Sequence, residues 1–143
     1  MTLKIRKTHA EAVLPSYAHA GDAGLDIRAV EAYIIAPGER ASVRTGLSIE
    51  LPPGTEAQIR PRSGLAINHG ITLLNAPGTV DEGYRGEINV ILINLGDKPF
   101  EVERGMRIAQ MVVAPVTRVK VEEVTDLTES ERGTGGFGST GVK

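Results

Sequence analysis

Hydrophobic residues along this chain occur in short runs rich in Val, Ile and Leu, and each run has the length of a β-strand. Turn signals with Pro and Gly separate the runs, as at Ala36-Pro37-Gly38 and Pro52-Pro53-Gly54, and such residues interrupt a helix. This spacing predicts an all-β fold, an antiparallel β-sandwich or barrel. The predicted strands are residues 25–27, 33–35, 48–51, 71–74, 87–95, 108–113 and 116–124.

One short helix is expected at residues 63–68, with Ser63 as its N-cap and Gly70 just beyond its end. The strand at 87–95 contains Val90-Ile91-Leu92-Ile93, which is apolar on both faces. In an antiparallel sheet, this pattern indicates that the second face is also covered, by the other sheet or by another subunit. Because the core is also small and poor in aromatic residues, an oligomer is expected.

The composition narrows the function classes. With 143 residues the chain is one domain, and its 3% aromatic content and net charge of −2 disfavour a general nucleic-acid binder. No apolar run reaches about 18 residues, so no membrane span is expected. The absence of cysteine fits a reducing compartment, and the expected location is cytoplasmic.

The C-terminal residues 128–143 are dense in glycine, which predicts a core at 1–127 followed by a flexible tail. Exposed amides, the Arg132 guanidinium and the hydroxyls of Ser139 and Thr140 offer donors to phosphate oxygens. Phe137, one of two phenylalanines, is a candidate for stacking on a flat group such as a base. No P-loop lysine is present, and the alternative is a disordered Gly/Ser tail.

Three further segments carry candidate chemistry. Pro61-Arg62-Ser63-Gly64 combines a cation, a hydroxyl and free backbone at a helix start, which favours an anion; the alternative is a plain helix cap beside a surface ion pair. Residues 81–87 suggest a hairpin whose backbone reads a base edge; alternatively, Asp81 is a turn residue and Tyr84 packs in the core. Asp22 and Asp26 could hold Mg²⁺ directly or through waters, although solvated loop acids are commoner.

Other polar residues give no clear signal. Arg107 and Gln110 lie in a strand-like segment and are alternatively just exposed. The three histidines, His9, His19 and His69, have no metal-ligand spacing and are interpreted as surface residues.

Taken in order, five segments resemble the five motifs of the trimeric dUTPases, and the match covers nearly the whole chain. They are Asp22-Ala23-Gly24-Leu25-Asp26, Pro61-Arg62-Ser63-Gly64, residues 78–86, residues 105–110 and residues 132–141. The resemblance implies a jelly-roll homotrimer with shared active sites. Each site would take the first, second and fourth motifs from one chain, the third from a neighbour and the tail from the remaining chain.

The resemblance also implies the reaction, hydrolysis of dUTP to dUMP and pyrophosphate, with Mg²⁺ on the triphosphate. Such a reaction would limit uracil in DNA, supply dUMP for dTTP synthesis, or both. By the same resemblance, Asp81 activates the attacking water and Gln110 helps to hold it, while Asp26 contacts the waters of Mg²⁺. The implied phosphate-binding residues are Arg62, Ser63, Gly64, Gln110, Arg132, Ser139 and Thr140. The implied uracil- and deoxyribose-binding residues are Asn75, Thr79, Val80, Asp81, Tyr84, Asn89 and Phe137.

Two alternatives stay open from the sequence. One is a relative of the dCTP deaminases, which resemble dUTPases in fold but use a glutamate base. The other is a non-catalytic regulatory protein that uses the nucleotide as a switch.

Overall fold

Ten strands and one short helix make up the chain in a computed structural model that describes residues 1–143. The elements are β1 Lys4–Lys7, β2 Leu25–Arg28, β3 Tyr33–Ile35, β4 Arg40–Glu50, β5 Thr55–Arg60, α1 Ser63–His69, β6 Ile71–Leu73, β7 Gly78–Val80, β8 Glu87–Asn94, β9 Phe100–Val102 and β10 Arg107–Pro115. The predicted all-β class with one helix is confirmed. The helix is not long and apolar enough to span a membrane.

The strands form two four-stranded sheets and one two-stranded ribbon, and all recorded pairs are antiparallel. The first sheet has the order β1-β4-β8-β6, the second β2-β10-β5-β7, and the ribbon joins β3 to β9. No two strands that follow each other along the chain pair with each other. The chain therefore repeatedly crosses between sheets, as in a jelly-roll sandwich.

The core lies between the two large sheets, and alternation of buried and more exposed residues along strands such as β5 and β8 builds much of it. On β8, Ile88, Val90, Leu92 and Asn94 are buried, whereas Asn89 is exposed and Ile91 and Ile93 are half-buried. One cluster of 19 buried aliphatic and aromatic residues fills the interior. The two-sided apolar character of β8 thus leaves Ile91 and Ile93 incompletely covered within one chain.

Three local predictions were wrong. No strand forms at residues 116–124; β10 instead ends at Pro115, which has no backbone N–H, and residues 117–127 are exposed and pair with no strand. Ser63 does not cap the helix, because it is itself helical and Arg62 occupies the N-cap in an extended conformation without a side-chain cap. The predicted end at Gly70 is confirmed.

The third correction concerns residues 81–87, which do not form a hairpin. β7 pairs with β5 in the second sheet, and β8 pairs with β4 and β6 in the first. The segment between them, Asp81 to Gly86, is a crossover loop that carries the chain from one sheet to the other. The loop thus runs from an edge strand of one sheet to an inner strand of the other.

Candidate active site

Two clefts on the surface contain most of the predicted site residues. The first, called here the polar cleft, has a volume of about 440 Å³ and is lined by Ala18, His19, Asp22, Ala23, Gly24, Asp26, Arg62, Ser63, Gly64, Arg107 and Gln110. It lies at one end of the second sheet, where the ladder aligns Gln110 on β10 with Asp26 on β2 and Arg60 on β5. Sheet pairing therefore brings together residues from three distant parts of the chain.

Gln110 is held at the floor of the polar cleft. Its amide Nε2 donates a hydrogen bond to the carbonyl of Pro61 at 3.0 Å, which ties β10 to the turn that precedes α1. A Cβ atom at Gly24 would collide with the Gln110 amide oxygen, so a side chain at position 24 would displace the amide from this orientation. These contacts fix the orientation of the amide.

Asp26 lies on the wall of the same cleft beside a cation. Its Oδ2 is 3.3 Å from Nε of Arg107, and the side chain of Asp26 is 16% exposed. A guanidinium nitrogen of Arg62 donates to the carbonyl of Arg107 at 3.2 Å, which places a second positive charge nearby. The cleft thus offers two guanidinium groups and free hydroxyl and backbone donors to an anion.

The donor set is compatible with Mg²⁺ held mainly by a substrate. No group of three or more His, Cys, Asp or Glu side chains could hold a metal ion by itself. Mg²⁺ usually keeps several waters and binds through one or two carboxylates plus substrate phosphates. The partly exposed carboxylate of Asp26, one of two in this cleft with Asp22, fits that mode of binding.

The sequence assigns no site role to two residues of the polar cleft, Arg107 and His19, whereas it does suggest Asp22 for Mg²⁺. Arg107 is not merely exposed, since it pairs with Asp26. His19 and Asp22 also line the cleft, and a turn joins them through the His19 amide, which donates to Oδ2 of Asp22 at 2.9 Å. Arg107 could have been found, because it lies inside the segment 105–110 that resembles a motif; His19 has no comparable signal.

The second cleft, called here the crossover cleft, has a volume of about 330 Å³. It contains six of the seven residues implied for uracil and deoxyribose, together with apolar side chains. Its lining is Ser42, Ile59, Leu73, Asn75, Gly78, Thr79, Val80, Asp81, Tyr84, Glu87, Ile88, Asn89 and Ile91. β7 is the edge strand of its sheet, so part of its backbone N–H and C=O groups faces away from β5 and is free to bond a ligand.

Asp81 presents a free carboxylate in the crossover cleft. The residue is exposed, and its side chain makes no ion pair and no hydrogen bond; its backbone carbonyl accepts from the Tyr84 amide at 3.0 Å. The turn is therefore closed by backbone groups, which argues against the interpretation of this carboxylate as a turn-forming group. It is available to accept a proton from water.

Tyr84 lies on the wall of this cleft and is 46% exposed, so it is not a core residue. Its hydroxyl donates to the carbonyl of Glu87 at 2.9 Å. The Glu87 carboxylate forms an ion pair with Arg44, with Oε2 2.8 Å from Nε. This arginine lowers the pKa of Glu87 below its usual range, chiefly by donating hydrogen bonds to the charged carboxylate.

The two clefts are separate on one chain. Gln110 is aligned with Arg60 on one side of β5, whereas Val80, the residue before Asp81, is aligned with Ala57 on the other side. At about 3.3 Å per residue and about 4.8 Å between strands, Asp81 and Gln110 are about 13 Å apart along the strands and about 10 Å across them. One water molecule cannot contact both side chains of the same chain.

The tail lies in neither cleft. From Thr117 to Lys143 every residue is exposed except Gly136, which is half-buried, and only turns are formed. Arg132 donates from Nε to the Gly135 carbonyl at 2.8 Å, and Phe137 is fully exposed. The structure therefore leaves Arg132, Phe137, Ser139 and Thr140 away from the other predicted site residues of this chain.

Comparison with known proteins gives one family. The model of the dUTPase family matches residues 10–141. The deoxyuridine 5'-triphosphate nucleotidohydrolase of Clostridium acetobutylicum is 62% identical over 143 residues, which is 100% of this chain and 99% of the relative. That of Gloeothece citriformis is 64% identical over 142 residues, covering 99% of this chain and 98% of the relative.

Solved structures that superpose on this chain are also dUTPases. The dUTPase of Staphylococcus bacteriophage 80alpha, solved with dUPNHPP, superposes with a TM-score of 0.89 at 28% identity over 99% of both chains. A mutant dUTPase of the S. aureus phage phi11, described with a structural Mg(II) ion, has a TM-score of 0.83 at 22% identity over 88% of this chain and 98% of the phage protein, and it supports the fold alone. The chain belongs to the dUTPase family of enzymes.

Proposed function

We propose that this enzyme hydrolyses dUTP to dUMP and pyrophosphate, which limits uracil in DNA and supplies dUMP for dTTP synthesis. The observation that carries the proposal is that the two clefts offer different chemical groups. The polar cleft offers guanidinium, hydroxyl and amide groups to a triphosphate. The crossover cleft combines apolar walls with an edge strand and a free carboxylate, as a base, a sugar and a reacting water require.

The two clefts come together in a homotrimer. In each active site, one chain supplies the polar cleft, a neighbour supplies the crossover cleft, and the third supplies its tail. The separation of Asp81 from Gln110 within one chain supports this arrangement, because both must reach the same water. The half-buried outer face of Ile91 and Ile93 further supports burial against another subunit.

Base and sugar recognition belong to the crossover cleft. The free edge of β7 at Thr79 and Val80, with the Asn75 amide and the neighbouring Asn89, matches the alternating acceptors and donor of uracil. Cytosine reverses part of this pattern and would leave buried partners unpaired. Tyr84 packs against deoxyribose and excludes a 2′-hydroxyl, and Phe137 of the tail stacks on the base.

Phosphate binding belongs to the polar cleft and the tail. Arg62, Ser63 and Gly64, with Gln110, bind the inner phosphates. The third phosphate is bound by Arg132, Ser139 and Thr140 of the tail. Mg²⁺ on the triphosphate would neutralise charge on the phosphates, and Asp26 would hold its waters.

The reaction is an in-line displacement at the α-phosphorus. A water oxygen forms a bond to phosphorus while the bond to the bridging oxygen of pyrophosphate breaks. Asp81 accepts the proton of that water, and the Gln110 amide, fixed by its bond to Pro61, helps to orient it. The positive groups of the polar cleft stabilise the negative charge that develops on the leaving pyrophosphate.

The assay that tests the activity is Mg²⁺-dependent pyrophosphate release from dUTP, dCTP, dTTP and UTP in parallel, with Asp81→Ala as the control. Turnover of dUTP alone, lost in Asp81→Ala, is expected. Ammonia release from dCTP would instead indicate a deaminase. Absence of turnover with every nucleotide would favour a regulatory protein.

Mixed trimers test the sharing of sites. Asp81→Ala and Gln110→Ala chains, each expected to be nearly inactive alone, are co-refolded in equal amounts. Random assembly leaves about a quarter of the sites with both residues intact, so about a quarter of the wild-type rate should return. A mixture no more active than its two components would contradict shared sites.

A cytoplasmic location stays a prediction from the cysteine-free sequence.

A further inference from the structure

We propose that Arg44 and Gly86 are positioning residues for sugar discrimination: they hold the ring of Tyr84 in one orientation, so that it forms a fixed wall against a 2′-hydroxyl. Neither residue needs to contact the nucleotide. The inference rests on the proposed function, because it assigns to these residues an effect on the choice between dUTP and UTP.

The ring of Tyr84 is held by local contacts and not by the core. With 46% of its surface exposed, it lacks the close packing that fixes a buried aromatic residue. Its hydroxyl instead donates to the Glu87 carbonyl at 2.9 Å, and the ring lies directly over Gly86. A Cβ atom at position 86 would collide with the hydroxyl and with the adjacent ring carbon, so this ring orientation requires glycine.

Glu87, the acceptor for that hydroxyl, is in turn anchored by its side chain. Arg44 on β4 donates from Nε to Oε2 at 2.8 Å and from Nη2 to Oε1 at 3.0 Å, and the Thr8 hydroxyl donates to Oε1 at 2.5 Å. Two parallel bonds from one guanidinium impose a defined geometry that a single ammonium cannot. The position of the Glu87 backbone, and with it the Tyr84 hydroxyl, is therefore set from β4.

These side-chain bonds occur where the backbone ladder is irregular. Between the pairs Arg44 with Asn89 and Ser48 with Glu87, the register of β4 and β8 shifts. Within this interval the Thr45 hydroxyl donates to the Ile88 carbonyl at 2.6 Å. Because regular pairing is interrupted at this point, side chains of β4 hold the start of β8 and the end of the crossover loop.

A wall discriminates against an added hydroxyl only if it cannot move aside. Loss of Arg44 would loosen Glu87 and with it the hydroxyl of Tyr84, and a methyl group at position 86 would push the Tyr84 ring away. In either case the ring would leave room for ribose. Both changes act at the hydroxyl end of the ring, and both should raise the efficiency with UTP relative to dUTP.

The test compares kcat/KM for dUTP and for UTP in Arg44→Met, Gly86→Ala and a control, Glu31→Gln. Glu31 binds another nitrogen of the same guanidinium, Nη1, at 2.9 Å but has no contact with the crossover loop. The dUTP-to-UTP ratio should fall about tenfold in Arg44→Met and Gly86→Ala, the scale of a steric change in a pocket. It should be unchanged in Glu31→Gln, and Arg44→Lys should fall between Arg44→Met and the wild type.

The most direct test combines Arg44→Met or Gly86→Ala with Tyr84→Ala in double variants. If Arg44 and Gly86 act through the ring, adding either change to Tyr84→Ala leaves the ratio where Tyr84→Ala alone puts it. Equal losses of kcat/KM for both nucleotides, with an unchanged ratio, would show that the two residues serve only stability. Independent additive changes in the ratio would also overturn the proposal.

The same measurements separate this inference from the function on which it rests. A wild-type chain that hydrolyses no dUTP would refute both. A wild-type enzyme specific for dUTP whose ratio is unmoved by Arg44→Met and Gly86→Ala would refute this inference alone.

Discussion

The crossover loop and the C-terminal tail are both expected to contact the same nucleotide, yet they are built in opposite ways. The loop is anchored at both ends by strands of different sheets and is braced by Arg44 through Glu87. The tail has no sheet partner and is exposed from Thr117 onward, with only Gly136 half-buried. The comparison suggests that the loop determines which nucleotide is accepted and positions the reacting water, whereas the tail adds binding and excludes water when it closes.

The largest effect is expected from Asp81 in the crossover loop. Asp81→Ala should lower kcat about a thousandfold, because the proton acceptor is lost, while KM and the melting temperature change little. Asp81→Asn is the isosteric control and should be almost as inactive. A kcat within tenfold of the wild type would mean that this carboxylate does not activate the water.

Removal of the tail should have the next largest effect. A chain ending at Leu127 is expected to fold with an unchanged melting temperature and to lose about a hundredfold in kcat/KM, because phosphate donors and water exclusion are missing. Thermal unfolding and steady-state kinetics on the same preparation check both parts. Full activity would contradict the role of the tail, and unfolding would move the boundary of the core beyond residue 127.

The contribution of a single side chain of the tail can be tested at Phe137. Phe137→Ala should cost about tenfold in kcat/KM for dUTP, on the scale of stacking between one aromatic ring and a base. Phe137→Leu retains apolar bulk without the ring and should fall in between. Equal activity of the Ala variant and the wild type would indicate that the tail contributes only through its polar groups.

The smallest effect concerns stability in acid. Arg44 lowers the pKa of Glu87 in the folded state, so the pair stabilises the fold above the ordinary carboxyl pKa, and this contribution disappears as the pH falls through the lowered value. Glu87→Gln should lose roughly 0.5–1 kcal/mol at neutral pH, because the partly exposed pair is screened by water, and should match the wild type once the pH lies below the lowered pKa of Glu87. Urea unfolding at fixed protein concentration measures the difference. A deficit that persists in acid would point to packing instead of charge.

The class of the fold and most strand positions could be predicted from local sequence, whereas strands with polar residues could not. β5 lacks the hydrophobic run that predicts a strand, because Glu56, Gln58 and Arg60 alternate with its buried residues. The segment 116–124 has such a run but no strand, because Pro115 ends β10 and the residues from Thr117 onward are exposed and do not pack against the core. A hydrophobic pattern shows that a segment is able to form a strand, and its tertiary contacts decide whether it does.

The sequence by itself determined the all-β class, the single helix, the glycine-rich tail and the residue types suited to phosphate, base and water. It did so because strand length, turn residues and side-chain chemistry are local properties. Only the tertiary structure decided that Asp26, Gln110 and Arg60 share one row of a sheet, that the Asp81 segment crosses between sheets, and that Asp81 lies far from Gln110 on the same chain. These relations depend on pairing between strands distant along the chain, which no local pattern specifies.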